Sequence, residues 1–474
     1  MSTAAGPTIS IVINTYNRAA SLRQTLDSLR YQVYDRFEVI VVNGPSTDDT
    51  EAVLAEFAGR VRVAHCPAVN LSKSRNVGIA AASGEVVAFL DDDAIPDPYW
   101  LVQLAAGYDS ERIGGVGGVV YDYTGYSFQF AASVTDRVGN SRYDVKPPYW
   151  GYLLPGGDQF VHLQGTNASF RRRCLEEIGG FDEEIEYFLD ETQVCLQLVD
   201  HGHQLRLLDC AAVYHKFLPS HLRNELKLFR KPFPAIKNKC YFALRARLPA
   251  TPVEEVLAKC HEFADRVLQD GRTYHYWGAL TTEELRTYED DVDRGLWIGI
   301  SRGLNGERKS GRIPPAQPEQ FRPYPRLIPP CGPLNLCFVC HAQPTEDAVG
   351  RAVWECARGI AALGHEVHFI TRSPDHNRVD FEDGVWVHRL LPEKEGAWGH
   401  AELAPTVRAE LGHAAAAHKE VRRIRQWRRV DLVDVAAPRW DGLVCLEDDD
   451  LSCILTLHPQ MPASEPQTSV EFSQ

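Results

Sequence analysis

The chain has 474 residues, a length that implies two or three domains rather than one core. Its 44% hydrophobic and 24% charged content is that of a folded globular protein, and a net charge of −14 excludes general binding to nucleic acid. Twelve cysteines lie mostly inside apolar runs, no signal-peptide pattern opens the sequence, and no apolar stretch approaches the roughly 20 residues of a membrane span. Reduced thiols and a cytoplasmic protein are therefore expected.

Residues 9–120 alternate between strand and helix patterns. Ile9 to Ile13 reads as a strand, followed by a helix with Leu22, Leu26 and Leu29 on one face. Strands follow at Phe37 to Val42 and Val61 to Ala64, then a helix over Ser72 to Ala82 and a strand over Val86 to Leu90. Such alternation predicts a mostly parallel sheet covered by helices, with ligands bound beyond the carboxyl ends of the strands. Three polar clusters stand at those ends: Asn14 to Arg18, Asn43 to Ser46, and Asp91-Asp92-Asp93. Residues 121–160 are rich in aromatics, Tyr149, Trp150 and Tyr152 among them, whose faces suit either sugar rings or a plain structural loop.

Residues 221–301 read as a helical extension. It carries a basic run (Arg223, Lys227, Arg230, Lys231, Lys237, Lys239, Arg245, Arg247) that suits a solvated face or an anionic lipid surface. The many prolines of 302–333 mark a linker. A second αβ pattern occupies 334–462, with strands at Leu334 to Val339, Glu366 to Thr371 and Val385 to Arg389 and a helix over Gly350 to Leu363. Cys337-Phe-Val-Cys340 has metal or redox spacing but sits in a strand pattern with no second pair, which argues against that role. Glu447 to Asp450 reads as a loop charge run, and 463–474 as a disordered tail.

The carboxylates of Asp91, Asp92 and Asp93 follow an apolar strand directly. Acids in that position are costly unless something positive binds them, and hard oxygen ligands suit Mg²⁺ or Mn²⁺ carrying a phosphate-rich ligand. A second acidic pair, Asp190-Glu191, opens a predicted helix at Thr192 to Val199, where acids also suit the helix dipole.

The ordered set Ile11-Val-Ile-Asn-Thr-Tyr-Asn-Arg18, Val41-Val-Asn-Gly-Pro-Ser-Thr-Asp48, Ser74-Arg-Asn-Val-Gly78, Phe89-Leu-Asp-Asp-Asp93, Gly165-Thr-Asn167, Gly179-Gly-Phe-Asp-Glu183 and Phe188-Leu-Asp-Glu-Thr192 resembles the inverting glycosyltransferases of family 2. The resemblance implies a domain of the α/β GT-A fold over 1–220, with a mixed, mainly parallel sheet. It implies that Thr15, Tyr16, Arg18, Asn43, Arg75, Asp91 and Asp92 bind a nucleotide-sugar, with Asn43 standing where many relatives carry a uracil-holding Asp. Asp93, Asp91 and His215 would hold the metal, Mn²⁺ or Mg²⁺. Gly165, Asn167 and Trp150 would line the acceptor site. Glu191 would be the catalytic base, with Asp190 in reserve, in an order reversed from the family's usual Glu-Asp. Gly350-Arg351, Ala361 to Thr371 and Leu455 to His458 resemble the N-terminal half of family 4 transferases of the GT-B fold, a partial Rossmann-like module without a donor-binding half.

The function so implied is metal-dependent, inverting transfer of a sugar from a nucleoside-diphosphate sugar, a UDP-sugar first among them, to a glycan or glycolipid hydroxyl in polysaccharide biosynthesis. Peripheral contact with the inner membrane face through the basic region goes with it. A non-catalytic nucleotide-sugar-binding or scaffold protein is the alternative reading. A sugar nucleotidyltransferase would need a Gly-rich basic loop where Thr15 to Arg18 stand.

Overall fold

In the computed structural model residues 6–457 are described, apart from 225–227, 311–312, 316, 318–319, 330–331, 342, 344–346, 394–403 and 438. Two compact units result, Met1–Tyr123 with Ser127–Pro325, and Thr124–Tyr126 with Arg326–Gln474. The 463–474 segment, Lys227 and His458 lie outside the described residues.

The first unit runs β1 (Ile9–Thr15), α1 (Ala19–Ser28), β2 (Phe37–Asn43), α2 (Thr50–Glu56), β3 (Arg62–His65), α3 (Leu71–Ala81), β4 (Val86–Asp91), β5 (Ala94–Pro96) and α4 (Trp100–Gly107). It continues with β6 (Ile113–Tyr121), β7 (Phe128–Phe130), β8 (Ser133–Asp136), β9 (Ser141–Arg142), β10 (Gln159–His162), β11 (Ala168–Arg171), α5 (Arg172–Ile178), α6 (Asp190–Asp200) and β12 (Gln204–His215). The helices α7 (Phe233–Ala246), α8 (Val253–Tyr276) and α9 (Thr282–Asn305) complete it.

Its main sheet has the order β3-β2-β1-β4-β11-β6-β12-β5, with β7 pairing on β6. The first four strands are parallel, whereas β11 runs antiparallel to both β4 and β6. Val12, Ile40, Val42, Val87 and Phe89 enter one core, and Ile11, Ile13, Val39, Val41 and Ala88 the other, so both faces are covered and the strands read as unbroken apolar runs. Register then lines up the polar strand ends: Thr15 stands beside Asn43, and Asn14 beside Asp91. At Gly78 an added Cβ would run into Val12, so only glycine lets α3 lie this close to β1. A smaller sheet, β10-β8-β9, stands apart from the main one.

Three expectations are corrected in this unit. The helices after residue 220 share its core: Phe242 and Ala246 of α7 pack in the same cluster as Phe89 and Phe170. The proline-rich segment is no free linker over its described part up to Pro325, because Tyr324 is buried, donates to the Leu26 carbonyl at 2.8 Å and packs on Phe37. The basic run is only in part the solvated face expected of it. Lys237 is buried and paired with Glu184 and Glu186, Lys239 is buried against Asn140, and Arg230 pairs with Glu284. Lys231 and Arg245 of the same run stay exposed.

The second unit holds β13 (Asn335–Val339), α10 (Ala348–Ala362), β14 (Glu366–Arg372), β15 (Arg378–Glu382), β16 (Val385–Leu390), α11 (Pro405–Trp427), β17 (Leu432–Ala436), α12 (Leu443–Leu446) and β18 (Cys453–Thr456). Its sheet has the order β15-β16-β14-β13-β17-β18, parallel except for the β15–β16 edge pair. One face packs on α10 through Val353, Ala357 and Ala361, the other on α11 through Ala416, Val421 and Ile424. Cys337 belongs to the α11 face and Cys340 to the α10 face, so the CxxC spacing brings no thiol pair together. The described cysteines are free thiols. Among the described residues no helix is long and apolar enough to cross a membrane.

Candidate active site

The site is built where β1, β2 and β4 end. Asp91 closes β4, and the chain turns at once into β5, which pairs antiparallel with the end of β12 and sets Ala94 opposite His215. The Lys216 N–H donates to the Asp93 carbonyl at 3.0 Å, and Thr25 donates to the carbonyls of Asp92 and Ala94. His215 Nε2 thereby stands 3.1 Å from Asp93 Oδ1 and 3.5 Å from Asp91 Oδ2. Its Nδ1 faces Gln129 Oε1 at 3.0 Å, which fixes the ring's orientation. One ligand atom from each of Asp91, Asp93 and His215 lies within 4.8 Å of the others. Two carboxylate oxygens and an imidazole nitrogen are a donor set that suits Mn²⁺ or Mg²⁺.

The charges here are mutually dependent. Burial disfavours the Asp93 carboxylate, but His215 and Arg18 outweigh it and hold Asp93 well below the usual range. Burial also opposes the His215 imidazolium, but Asp93 and Asp91 lift it above its ordinary value. Asp92 is pushed up to about 7 by burial and by Asp93, against Arg18 and the Thr15 hydroxyl. Arg18 reaches Asp93 Oδ2 at 3.2 Å and the Leu218 carbonyl at 3.1 Å.

The other predicted pocket residues sit nearby with mixed commitments. Asn43 is buried, donating to Glu51 Oε1 at 2.6 Å and accepting from Ser46 at 2.8 Å. Asp48 closes the following turn, accepting from the Ala19 N–H at 3.0 Å and the Thr50 N–H at 3.1 Å. Tyr16 is half-buried and meets His221 edge to face.

A second cluster gathers at the start of α6. Asp190 and Glu191 are its first two residues. Arg75, from α3, is buried between the rings of Phe89 and Phe181, pairs with Asp190, and lies 3.7 Å from Glu191 Oε2. Asp190 is buried and its side chain is 2% exposed, whereas that of Glu191 is 16% exposed. Burial and the neighbouring Glu191 push the Asp190 carboxyl up to about 8 against the pull of Arg75. Burial also acts to raise Glu191, but His162 and Arg75 overcome it and hold Glu191 at about 2. The surroundings thus push the two acids apart, Asp190 upward and Glu191 downward.

Gly165 borders this pair, and a Cβ there would come within 2.8 Å of the Arg75 guanidinium and 3.3 Å of the Glu191 carboxyl carbon. Arg75 was expected to approach a diphosphate; instead it is enclosed with the two acids. Asn167 is corrected as an acceptor ligand through its side chain. It is fully buried, accepts from Trp100 and donates to the Val119 and Ala211 carbonyls, which uses its amide within the fold. Trp150 stands 66% exposed on a short 3-10 turn.

Sequence reasoning missed His162 and Gln129. His162 Nε2 lies 3.6 Å from Glu191 Oε1, and the ring reaches it only because β10 pairs with β8. A lone histidine in a short strand pattern gives no signal of that. Backbone strain, by contrast, marks the site. Phe188 and Leu189, just before α6, have φ of 72° and 68°, Asn17 has 54° and Phe217 has 52°. Bulky residues reach this region at a cost of order 1–3 kcal/mol each, and such strain clusters at functional sites.

The strand ends, the acidic cluster and the mixed sheet define an α/β fold of the GT-A type. Residues 10–179 match the model of glycosyl transferase family 2. The chain is 24% identical to the probable glycosyltransferase YdaM of Bacillus subtilis over 44% of this chain and 51% of that protein. It is 28% identical to the glucosyl-dolichyl phosphate glucuronosyltransferase of Haloferax volcanii over 47% of this chain and 73% of that one. The chain therefore spans about half the length of the first relative and nearly three quarters of the second. Residues 1–349 of TarS from S. aureus, solved in complex with UDP-GlcNAc, align with a TM-score of 0.41 at 19% identity over 63% of this chain and 89% of that one.

Proposed function

We propose that this chain is a metal-dependent, inverting glycosyltransferase that moves a sugar from a nucleoside-diphosphate sugar, a UDP-sugar first among the candidates, to a hydroxyl of a glycan or glycolipid. The observation that carries the reading is the division of labour between its two acidic clusters. One, Asp91, Asp93 and His215, offers a cation three ligand atoms at the strand ends. The other presents a partly exposed Glu191 beside a buried Asp190 that is paired with Arg75.

In this reading Asp91, Asp93 and His215 hold the metal, which when bound neutralises charge on the departing diphosphate. Thr15, Tyr16, Arg18, Asn43 and Asp92 border the nucleotide. Glu191 removes the proton of the acceptor hydroxyl as that oxygen bonds to the anomeric carbon. The bond from that carbon to the diphosphate oxygen breaks, with its electron pair leaving on the nucleoside diphosphate. Glu191 is favoured over Asp190 because its carboxyl group is the more accessible, whereas Asp190 is buried against Arg75. Gly165 and Trp150 belong to the acceptor side. The second unit is read as a module of the Rossmann-like kind that holds the acceptor or docks a partner.

The test is nucleotide release from a panel of UDP-, GDP-, dTDP- and CDP-sugars with Mn²⁺, comparing wild type with Glu191→Gln. The expected result is metal-dependent release from one donor class, reduced on the order of 10²–10⁴-fold in the variant with nucleotide binding kept. Equal release by both proteins would remove Glu191 from the chemistry. If wild type bound nucleotide but turned nothing over, the scaffold reading would replace this one.

A further inference from the structure

His162 carries a role that neither its sequence nor the family match assigns. The residue is buried, and its Nε2 has no hydrogen-bond partner within reach. A buried N–H left unmade costs about 1–3 kcal/mol, so folds rarely keep one without use. Its other nitrogen, Nδ1, lies 3.0 Å from Ser133 Oγ, itself fully buried. With that hydroxyl donating to Nδ1, the ring proton sits on Nε2 and points toward Glu191 Oε1 at 3.6 Å, just beyond hydrogen-bond reach. The edge-to-face contact with Phe130, centroids 5.9 Å apart, holds the ring plane.

We infer that His162 is a positioning residue for the base: its Nε2–H closes onto Glu191 Oε1 in the loaded enzyme and fixes the carboxylate's rotation. Arg75 flanks the second oxygen, Oε2, at 3.7 Å, so the Arg75 cation and the neutral His162 donor each face a different oxygen of the group. Each carboxylate oxygen retains a further lone pair for the acceptor's proton. The remaining groups that act on Glu191 are Asp190 on the same helix, Tyr187 before it and Cys195 one turn on. This inference rests on the transferase reading, and the experiment separates the two.

The decisive comparison is His162→Phe, which keeps the ring's shape and removes the donor, against His162→Gln, which restores an N–H. Wild-type nucleotide release with Mn²⁺ tests the transferase reading by itself. If wild type is active, His162→Phe is expected to lose on the order of 10²-fold in kcat while donor KM, UDP affinity and the unfolding midpoint stay near wild type. His162→Gln is expected to recover most of the loss. The acid limb of the kcat profile, which reports the loaded enzyme, should move to higher pH in His162→Phe, as Glu191 becomes easier to protonate. Unchanged kcat in His162→Phe, or a parallel loss of nucleotide binding, overturns the inference. Should wild type prove inactive, a carboxyl ¹³C titration of Glu191 in the presence of saturating UDP and Mn²⁺ decides: an upward shift in His162→Phe upholds the coupling, and an unmoved midpoint rejects it.

Discussion

Both units end parallel strands in charge, yet they spend that charge differently. In the second, Arg372 bonds Asp441 at 2.6 and 2.9 Å and Glu410 at 2.5 Å, while Arg389 meets Asp380 and Glu382. Beneath them His388 bridges His368 and Glu420, which in turn is held by Arg423. Acid meets base and the residues sit in relaxed backbone, Asp383 being the unit's one non-glycine positive φ among the described residues. In the first unit acids outnumber their partners: Asp91, Asp92 and Asp93 share Arg18 and His215, and Asp190 and Glu191 share Arg75. Protonation there is split unevenly, and four strained residues surround the groups. Balanced pairs build structure, whereas crowded acids on strained backbone await a ligand.

Removing the shared cation should break this contrast most severely. Arg75→Met leaves two buried acids without their guanidinium, so stability should fall by about 3–5 kcal/mol and turnover should vanish. Arg372→Met in the second unit, where Arg372 and Glu410 are partly solvated and Asp441 alone is buried, should cost about 1–2 kcal/mol with turnover unchanged. Thermal unfolding and nucleotide release measure both. Equal costs would mean that the two clusters are of one kind.

A pH titration sharpens the same comparison from the other side. Burial, reinforced by His368, pushes the native His388 down to about 4, whereas an unfolded histidine titrates near 6.5. Between those values the unfolded chain takes up the proton and the native one does not. Stability is therefore complete above pH 6.5 and is lost as pH falls toward 4, on the order of 3 kcal/mol in all. His388→Gln should flatten that slope in denaturant midpoints; an unchanged slope would show that the buried pair is not its source.

The smallest expected effect is at Gly165. Gly165→Ala places a methyl against Arg75 and Glu191 and should lower kcat about tenfold while leaving nucleotide affinity intact. Wild-type kcat in this variant would show that the crevice has slack.

That Asp91, Asp93 and His215 come together was legible in the sequence, because the family resemblance singles out all three and the end of β4 falls on the polar edge of the sheet. The acidic pair was legible for the same reason. What pairs with it was not. Arg75 reads as a phosphate ligand until α3 is seen to lie buried against Phe89 and Phe181. His162 and Gln129 depend on pairings, β8 with β10 and β6 with β7, that join short strands across irregular loops. Asn167 looked like a pocket residue because polar residues near motifs draw that reading, yet its amide ties Trp100 to two carbonyls. Likewise the charges of Lys237 and Lys239 suggested a surface, although the rest of α7 is apolar enough to carry them inside.

The central claim, that these strand ends form a metal-assisted nucleotide-sugar site, is tested most directly by calorimetric titration of UDP, GDP, dTDP and CDP. The titrations are run with and without Mn²⁺, on wild type and on Asp93→Ala. One nucleotide should bind in the presence of the metal, and that binding should disappear both without the metal and in the variant. Binding that ignores the metal and survives Asp93→Ala, or no binding of any nucleotide, would contradict the account.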